Sequence, residues 1–327
     1  MRKIALAFLF LAIGCNTPSG VTHGGGSGGT GGGAAGGSGG GGTGGTGGGA
    51  GGGGSGGTGG GDNCPAEAKL VYTIDQHNVF SSFTPDQMDV TKSTFTTIAT
   101  LKCPTKIGAN PFSMSVDRSG TAWVEYVAQD SFTGQYNGSE LFQVSTKDGS
   151  CTATTFQSAQ QGMETFGMGF VADAPMSDQE TLFIGGGPAA DSMGNFSATY
   201  LGTLDPSTLM ITKGQSINGR PELTGTGDAK LWAFFPDASN PRIAQLDKMS
   251  AAESNPIALP TLKGMPTAWA FAFWGGDFWV FLKKDLEQTT TVYHVKASDG
   301  SVTSWKTPNL SIVGAGVSTC APTTPIG

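Results

Sequence analysis

The chain has 327 residues, of which 54 are glycine, and its 18 basic and 25 acidic side chains give a net charge of −7. An acidic chain lacks the basic patches that attract nucleic acid or anionic lipid, so the composition argues against both kinds of electrostatic partner. No segment after the N-terminal stretch approaches 18 consecutive apolar residues, and the sequence therefore predicts no further membrane span.

Residues 1–14 have the features of an export signal. Two basic residues, Arg2 and Lys3, precede an apolar stretch from Ile4 to Ile13, which is too short to span a bilayer. The following string, Leu-Ala-Ile-Gly-Cys ending at Cys15, resembles a bacterial lipobox, with Ala12 where leucine is usual. The resemblance implies that Cys15 becomes the lipidated first residue. Asn16 stands where an aspartate typically retains lipoproteins at the inner membrane, so the resemblance favours the outer membrane, facing the periplasm or the cell surface.

Residues 15–61 form a predicted flexible linker, because almost every residue from Gly24 to Gly61 is glycine. Glycine-rich chains behave as random coils with a span of about 5–6 Å times the square root of their length. The 48 residues between Cys15 and Cys64 would thus span roughly 35–42 Å. Residues 62–327 remain for one large globular domain.

The globular part contains a repeat with small residues at the second and fourth positions of a five-residue unit. Alternation with period two predicts a β-strand whose small side chains share one face, which lets a neighbouring sheet approach closely. Five copies begin 54, 57, 46 and 44 residues apart: Phe112–Val116, Phe166–Phe170, Leu223–Gly227, Trp269–Phe273 and Val313–Val317.

A turn, a second apolar strand and a hairpin follow most copies. The hairpin is clearest at Leu141–Val144 and Val292–Val295, each followed by an Asp-Gly turn. Each unit therefore predicts four antiparallel strands in about 50 residues, the pattern of a β-propeller blade. We predict an all-β fold, a five-bladed β-propeller of four-stranded antiparallel blades.

The first unit lacks its inner strand, whereas the C-terminus has an unpaired inner strand at Ile312–Thr319. Joining the two would complete the fifth blade and close the ring. Cys64 precedes the second strand of this blade and Cys320 follows its inner strand. We therefore predict a Cys64–Cys320 disulfide at the closure.

Four cysteines in an exported domain suggest two disulfides, and no Cys-x-x-Cys pair or histidine cluster has the spacing of a zinc site. Cys103 would pair with Cys151 by elimination. However, Cys103 follows an outer strand and Cys151 begins one, which would place them toward opposite faces. Either the connection through Cys103 is irregular or this pair does not form.

No nucleophile elbow, phosphate loop or dinucleotide motif occurs in the globular part, so we assign no catalytic residues, metal or cofactor. Asp75 and His77 lie in a predicted loop, and Glu164 and Glu222 precede inner strands on the face of the blade connections. We expect these four residues and Trp274 to mark a ligand-binding face. The tryptophans at 123, 232, 269 and 279 recur with the repeat and are predicted to belong to the core.

The strings Phe166–Phe170, Glu222–Asp228, Trp269–Phe278 and Gly314–Pro322 together resemble a group of uncharacterised lipoproteins from myxobacteria and related bacteria. That resemblance implies no activity. Two hypotheses remain open. The first is a monomeric, lipid-anchored, non-enzymatic propeller that binds a protein or a glycan. The alternative is a carbohydrate-active hydrolase that uses Glu164 and Glu222 near the central channel as paired carboxylates.

Overall fold

The computed structural model describes residues 64–106, 108–130, 133–190 and 196–326. The predicted signal peptide (1–14) and the predicted linker (15–61), including Cys15, lie outside the described residues. The described chain forms five four-stranded antiparallel sheets, which confirms the five-bladed β-propeller.

The blades follow one another along the chain, except that blade 1 takes its inner strand from the C-terminus. Blade 1 contains β1 (Val71–Asp75), β2 (Val79–Thr84), β3 (Thr94–Thr100) and the C-terminal strand β20 (Ile312–Gly316). Blade 2 contains β4 (Ala109–Val116), β5 (Thr121–Gln129), β6 (Tyr136–Ser145) and β7 (Cys151–Ala153). Blade 3 contains β8 (Thr165–Ala172), β9 (Glu180–Gly187), β10 (Thr199–Leu204) and β11 (Ile211–Ile217). Blade 4 contains β12 (Glu222–Gly225), β13 (Leu231–Phe235), β14 (Arg242–Leu246) and β15 (Glu253–Ala258). Blade 5 contains β16 (Pro266–Trp274), β17 (Asp277–Lys284), β18 (Thr291–Val295) and β19 (Val302–Lys306). Short 3-10 turns lie at Ala66–Lys69, Val90–Lys92, Gln160–Gly162 and Pro260–Leu262.

The inner strands β20, β4, β8, β12 and β16 contact one another around the central axis. They run in the same direction, since Gly167 and Gly169 of β8 face Glu222 and Thr224 of β12 in the same order. We call the face where the inner strands begin the top face and the face where they end the bottom face.

The small residues of the repeat allow this close approach. A β-carbon built on Gly167 would lie 2.5 Å from the carbonyl oxygen of Pro221, and one on Gly169 would lie 3.0 Å from the α-carbon of Thr224. The atoms on the blade 4 side belong to the backbone, so they could yield only if the strand moved. The prediction that the repeat brings neighbouring sheets together is therefore confirmed.

The C-terminal strand closes the ring as predicted. β20 pairs antiparallel with β1, with Gly316 opposite Tyr72 and Ile312 opposite Asp75. The chain also contains a disulfide between Cys64 and Cys320, whose α-carbons are 5.8 Å apart. Both links join the N-terminal and C-terminal parts of blade 1, the strand pairing along the length of β1 and the disulfide at the bottom face.

The second disulfide joins Cys103 and Cys151, whose α-carbons are 5.2 Å apart. The segment after β3 has no regular secondary structure around Cys103, so the connection is irregular, the first of the two alternatives. In addition, the β6–β7 turn of blade 2 packs on the outer strand of blade 1, with Gly149 against Ala99 and Leu101. Because strands twist across a blade, the start of one outer strand can meet the chain beyond the end of another.

Apolar and aromatic side chains fill the spaces between blades. Between blades 5 and 1, the Phe83 ring lies 5.5 Å from the ring of Trp279 and 5.2 Å from that of Phe281. Trp279 also stacks on His294 at 4.5 Å, and His294 Nε2 lies 2.8 Å from Asp277 Oδ2. His294 therefore has a structural position in β18, with its ring buried between an aromatic ring and a turn carboxylate.

A polar link on the bottom face connects three blades. The backbone N–H of Arg118 donates to Glu180 Oε1 at 2.8 Å, and the hydroxyl of Thr319 donates to Glu180 Oε2 at 2.7 Å. The Arg118 guanidinium also donates to Thr319 Oγ1 at 3.2 Å. Arg118 belongs to blade 2, Glu180 to blade 3 and Thr319 to the end of blade 1, so one carboxyl group connects all three.

We predict that the ring-closing disulfide stabilises the propeller more than the second one. The bonds span 256 and 48 residues, and the chain-entropy model assigns them roughly 5 and 4 kcal/mol of unfolding free energy. Urea denaturation of the double variants Cys64→Ala/Cys320→Ala and Cys103→Ala/Cys151→Ala measures both losses. A smaller loss for the first pair would contradict this ranking.

We also predict a pH-dependent contribution from Glu180. Burial raises its pKa to about 7 from a usual value of 4.5, despite the hydrogen bonds from Arg118 and Thr319 that oppose the increase. The folded protein then binds one more proton than the unfolded chain between pH 4.5 and 7, so the free energy of unfolding falls as the pH rises through this window. The full loss is at most about 3 kcal/mol.

The measurement is urea denaturation at a series of pH values with Glu180→Gln, in which the slope should become smaller by the contribution of one proton, whereas the buried Glu125 and Glu222, whose pKa values are also raised, keep their own contributions. Glu287→Gln on the top face is the control and should keep the slope of the wild type. An unchanged slope in Glu180→Gln would show that another group causes the pH dependence.

Candidate functional site

A groove of about 520 Å³ opens on the top face of blades 3, 4 and 5. Its lining combines aromatic rings, amides, carboxylates and two arginines: Phe196, Asn218, Gly219, Arg220, Phe235, Pro236, Asp237, Asn240, Arg242, Glu253, Pro266 and Trp269. Its volume lies within the range of cavities that bind small ligands.

Turns around blade 4 supply most of the lining. Arg220 lies in the connection from blade 3, two residues before β12, whereas Phe235 and Arg242 are at the two ends of the β13–β14 loop. In that loop the Asp237 carboxylate accepts the backbone N–H groups of Ser239 and Asn240, both at 2.8 Å. An aspartate that binds the backbone two or three residues ahead fixes a turn. The rim of the groove is therefore built on a defined loop.

Each arginine of the groove stacks on a phenylalanine. The guanidinium carbon of Arg220 lies 4.1 Å from the ring centroid of Phe196, and that of Arg242 lies 4.0 Å from the ring centroid of Phe235. Arg242 also binds Glu253 through two hydrogen bonds, of 2.8 and 2.6 Å. Stacking fixes the planes of both guanidinium groups while leaving their N–H edges available for hydrogen bonds.

Next to the groove, buried carboxyl groups bind the open edge of β8. The backbone N–H of Phe166 donates to Glu125 Oε2 at 3.2 Å, and that of Met168 donates to Glu222. Ser113 Oγ donates to Glu222 Oε1 at 2.5 Å. Because Ser113 is in blade 2 and Glu222 in blade 4, Glu222 extends across the channel past the inner strand of blade 3. The two glutamates therefore satisfy backbone groups that face the channel.

Burial dominates the ionisation of this cluster. Glu125 is fully buried and Glu222 is 2% exposed, and desolvation raises the pKa of each well above its usual value. Burial therefore favours the protonated form of both carboxyl groups. The Glu125 Oε1 atom and the Arg220 Nε atom are buried without a hydrogen-bond partner among the described residues.

Glu164 lies at the top face, just before β8. Its Oε2 atom accepts the backbone N–H of Ala189 at 2.8 Å, and its charge acts on Arg220. The structure therefore places Glu164 and Glu222 on the same side of the ring, as the sequence predicts. However, only Glu164 is partly exposed, and neither residue is among those that line the groove.

Asp75 and His77 also lie on the top face, at the β1–β2 turn of blade 1. Asp75 is buried, and its Oδ1 atom accepts the backbone N–H groups of His77 and Val79, both at 2.8 Å. This pattern assigns Asp75 a turn-forming role. The His77 side chain is 66% exposed. Since the groove is lined by blades 3, 4 and 5, these two residues do not belong to it.

The grouping of Trp274 with this face was wrong. Trp274 ends β16 and therefore lies at the bottom face, where its Nε1 atom donates to the carbonyl oxygen of Lys69 at 2.9 Å. It packs partly buried against the core between blades 5 and 1. The direction of this side chain could not be read from the repeat, because Trp274 follows the last residue of the repeat unit.

Trp269 differs from its prediction as a core residue, because it is only partly buried and lines the groove. Trp123 and Trp279 do belong to the core. The sequence reasoning also missed Arg220 and Arg242. A signal for them exists, because Asn218-Gly-Arg220 and Asn240-Pro-Arg242 each place an arginine after a turn dipeptide and before a strand of blade 4.

The described residues contain neither a metal-binding cluster nor a membrane-spanning helix. No group of three or more histidine, cysteine, aspartate or glutamate side chains is arranged to hold a metal ion. None of the helices in the same part of the chain is long and apolar enough to cross a membrane.

No protein-family model and no curated protein matches this chain. Solved structures with similar folds include a family 117 glycoside hydrolase from Zobellia galactanivorans, at 10% identity and a TM-score of 0.44, covering 74% of this chain and 77% of that one. TolB from Acinetobacter baumannii is similar at 9% identity and a TM-score of 0.42, covering 78% and 68%. A protein of unknown function from Dyadobacter fermentans is similar at 8% identity and a TM-score of 0.42, covering 72% and 74%. At these values the similarities carry no functional argument.

We predict that Glu222 acts as a neutral hydrogen-bonding group. Glu222→Gln should lower the free energy of unfolding by less than about 1 kcal/mol, because the amide keeps the shape and the neutral charge. Glu222→Ala should lower it by about 2–4 kcal/mol, because it leaves a cavity and buried groups of Ser113 and Met168 without a partner. Urea denaturation at pH 7 compares the two variants. A loss as large for Gln as for Ala would mean that the ionised carboxylate is required.

Proposed function

We propose that this protein is an exported, lipid-anchored, non-enzymatic binding module that holds its ligand in the top-face groove. The observation behind the proposal is the position of that groove. Most of its lining belongs to the top face, whereas the described chain begins at Cys64, which is bonded to Cys320 at the bottom face. A domain tethered from the bottom face would present the groove away from the membrane.

The anchor itself rests on the sequence. The lipobox-like string ending at Cys15 and the glycine-rich residues 24–61 support attachment of the domain to the outer membrane by a flexible linker. Two disulfides in the globular part are in keeping with an oxidising compartment outside the cytoplasm.

Binding accounts for the site better than hydrolysis does. A pair of hydrolytic carboxyl groups needs access to the scissile bond, whereas Glu222 is 2% exposed and bonded to Ser113 and to the backbone of β8. The groove instead offers fixed aromatic faces and polar edges, and its own two carboxylates are already engaged, Asp237 with backbone N–H groups and Glu253 with Arg242. Its concave shape suits a glycan or a short extended chain better than a flat protein surface.

The experiment has two arms, the first of which tests the anchor. Wild type and Cys15→Ser are expressed at full length in a Gram-negative host with radiolabelled palmitate. We expect label and outer-membrane fractionation for the wild type, and loss of both for Cys15→Ser. Equal labelling of the two proteins would contradict lipidation at Cys15.

The second arm tests the groove with the soluble full-length Cys15→Ser protein. This protein is mixed with envelope fractions, and the amount that the envelope material retains is measured. Asn218→Trp, added in the same background, places a bulky ring on the exposed rim and should reduce retention at least tenfold. Met249→Trp, at an exposed position in the bottom-face β14–β15 turn, is the matched control and should leave retention unchanged. The proposed role of the groove would be overturned if the envelope fractions retained Asn218→Trp and Met249→Trp equally. It would also be overturned if they did not retain the Cys15→Ser protein with an unaltered groove.

A further inference from the structure

The two arginines of the groove differ in how their charge is compensated. Arg242 forms a two-bonded ion pair with Glu253. Arg220 donates to neutral groups, namely Thr165 Oγ1 at 3.0 Å and the carbonyl oxygen of Pro188. In the part of the chain that the structure describes, no carboxylate lies within ion-pair distance of Arg220. The Arg220 guanidinium is therefore a cation at the groove that forms no direct ion pair with a described carboxylate, although Glu125 and Glu164 act on it from a greater distance.

Burial without a direct ion pair lowers the pKa of Arg220. Burial lowers the pKa of its guanidinium to about 10, although Glu125 and Glu164 partly oppose the decrease. The group is still charged at neutral pH, but burial makes the free energy of its charged form less favourable. Its buried Nε atom has no partner, so part of its hydrogen-bonding capacity is unused. An anionic group in the groove would offset the charge and accept from the Nη edges that stacking on Phe196 leaves free.

The other polar groups of the groove indicate what surrounds that anion. Asn218 and Asn240 offer both donors and acceptors, whereas Asp237 and Glu253 offer acceptors alone. Hydroxyl groups donate and accept, so a ligand with several hydroxyls can pair with all four side chains. The two carboxylates would repel a ligand with many negative charges, such as a polyphosphate.

The apolar groups of the groove complete the description. Phe196 is 50% exposed, and Trp269 is partly exposed at the wall formed by β16. Flat aromatic faces next to hydrogen-bonding side chains suit a ring with apolar C–H faces and polar edges. A ligand with one carboxylate, several hydroxyls and such a ring is an acidic sugar.

We propose that the groove binds an acidic saccharide, with the carboxylate of a uronic acid unit at Arg220 and its ring against Phe196 or Trp269. This inference rests on the proposed function, because it names the ligand class of the same groove. A planar guanidinium group pairs well with a carboxylate, and the groove carboxylates Asp237 and Glu253 disfavour a more highly charged phosphate.

The test is isothermal titration calorimetry on the full-length Cys15→Ser protein. The probes are a disaccharide that contains one galacturonate unit and the methyl ester of that disaccharide, which has the same rings without the charge. We expect the acid to bind at least tenfold more tightly than the ester, and the affinity for the acid alone to fall as salt increases. Equal affinity for the two probes, or binding of neither, would overturn the inference.

Variants then assign the preference to one side chain. Arg220→Gln should weaken binding of the acid at least tenfold and leave binding of the ester within twofold, whereas Arg220→Lys should keep part of the preference. Lys92→Gln on the bottom face is the control for total charge and should change neither affinity. An unchanged preference in Arg220→Gln would overturn the assignment.

Two further comparisons keep the outcomes distinct. If Arg220→Gln does not fold, the acid-against-ester comparison on the unsubstituted groove still decides the inference. Asn218→Trp should abolish binding of the acid without contact to the core. Envelope material that is retained through the groove while the acid and ester bind equally would preserve the proposed function and reject the acidic ligand.

Discussion

The antiparallel pairing of β20 with β1 joins the two ends of the propeller, and the other blades depend on it for a closed ring. Without β20, blade 1 would expose the inner edge of β1, and blades 2 and 5 would each lose a neighbour at the axis. The Cys64–Cys320 disulfide limits the separation of the same two segments in the unfolded chain. The bottom-face link through Glu180 lies beside this closure and extends it to blades 2 and 3.

Closure brings five inner strands together at the axis, and this crowding explains both the small residues and the buried acids. Gly167 and Gly169 leave room for the backbone of blade 4. The open edge of β8 then has N–H groups that water cannot easily reach, and such groups need acceptors. Glu125 and Glu222 supply these acceptors. Glu222, which the sequence suggests as a partner of Glu164 in a catalytic pair, thus has a sufficient structural reason to be where it is.

The two faces of the ring differ as a result. The bottom face contains both the closing disulfide and the link between blades 1, 2 and 3. The top face contains turns around blade 4, which supply two stacked arginines, aromatic rings and amides to one groove. The charged residues that stabilise the fold and those that line the groove are therefore separated, so the groove can be altered in experiments without opening the ring.

The sequence by itself determined the five-bladed fold, the ring closure and the disulfide at that closure. Each of these features follows from the period-two alternation and from the length of the repeat, and both can be read from the sequence. Only the tertiary structure decided whether Cys103 pairs with Cys151, on which face Trp274 lies and which groups Glu222 binds. These features depend on blade twist and on neighbours distant in sequence. The groove could not be predicted from the sequence either. Its residues Arg220, Phe196 and Trp269 come from three blades, and no local sequence pattern indicates that they lie close together.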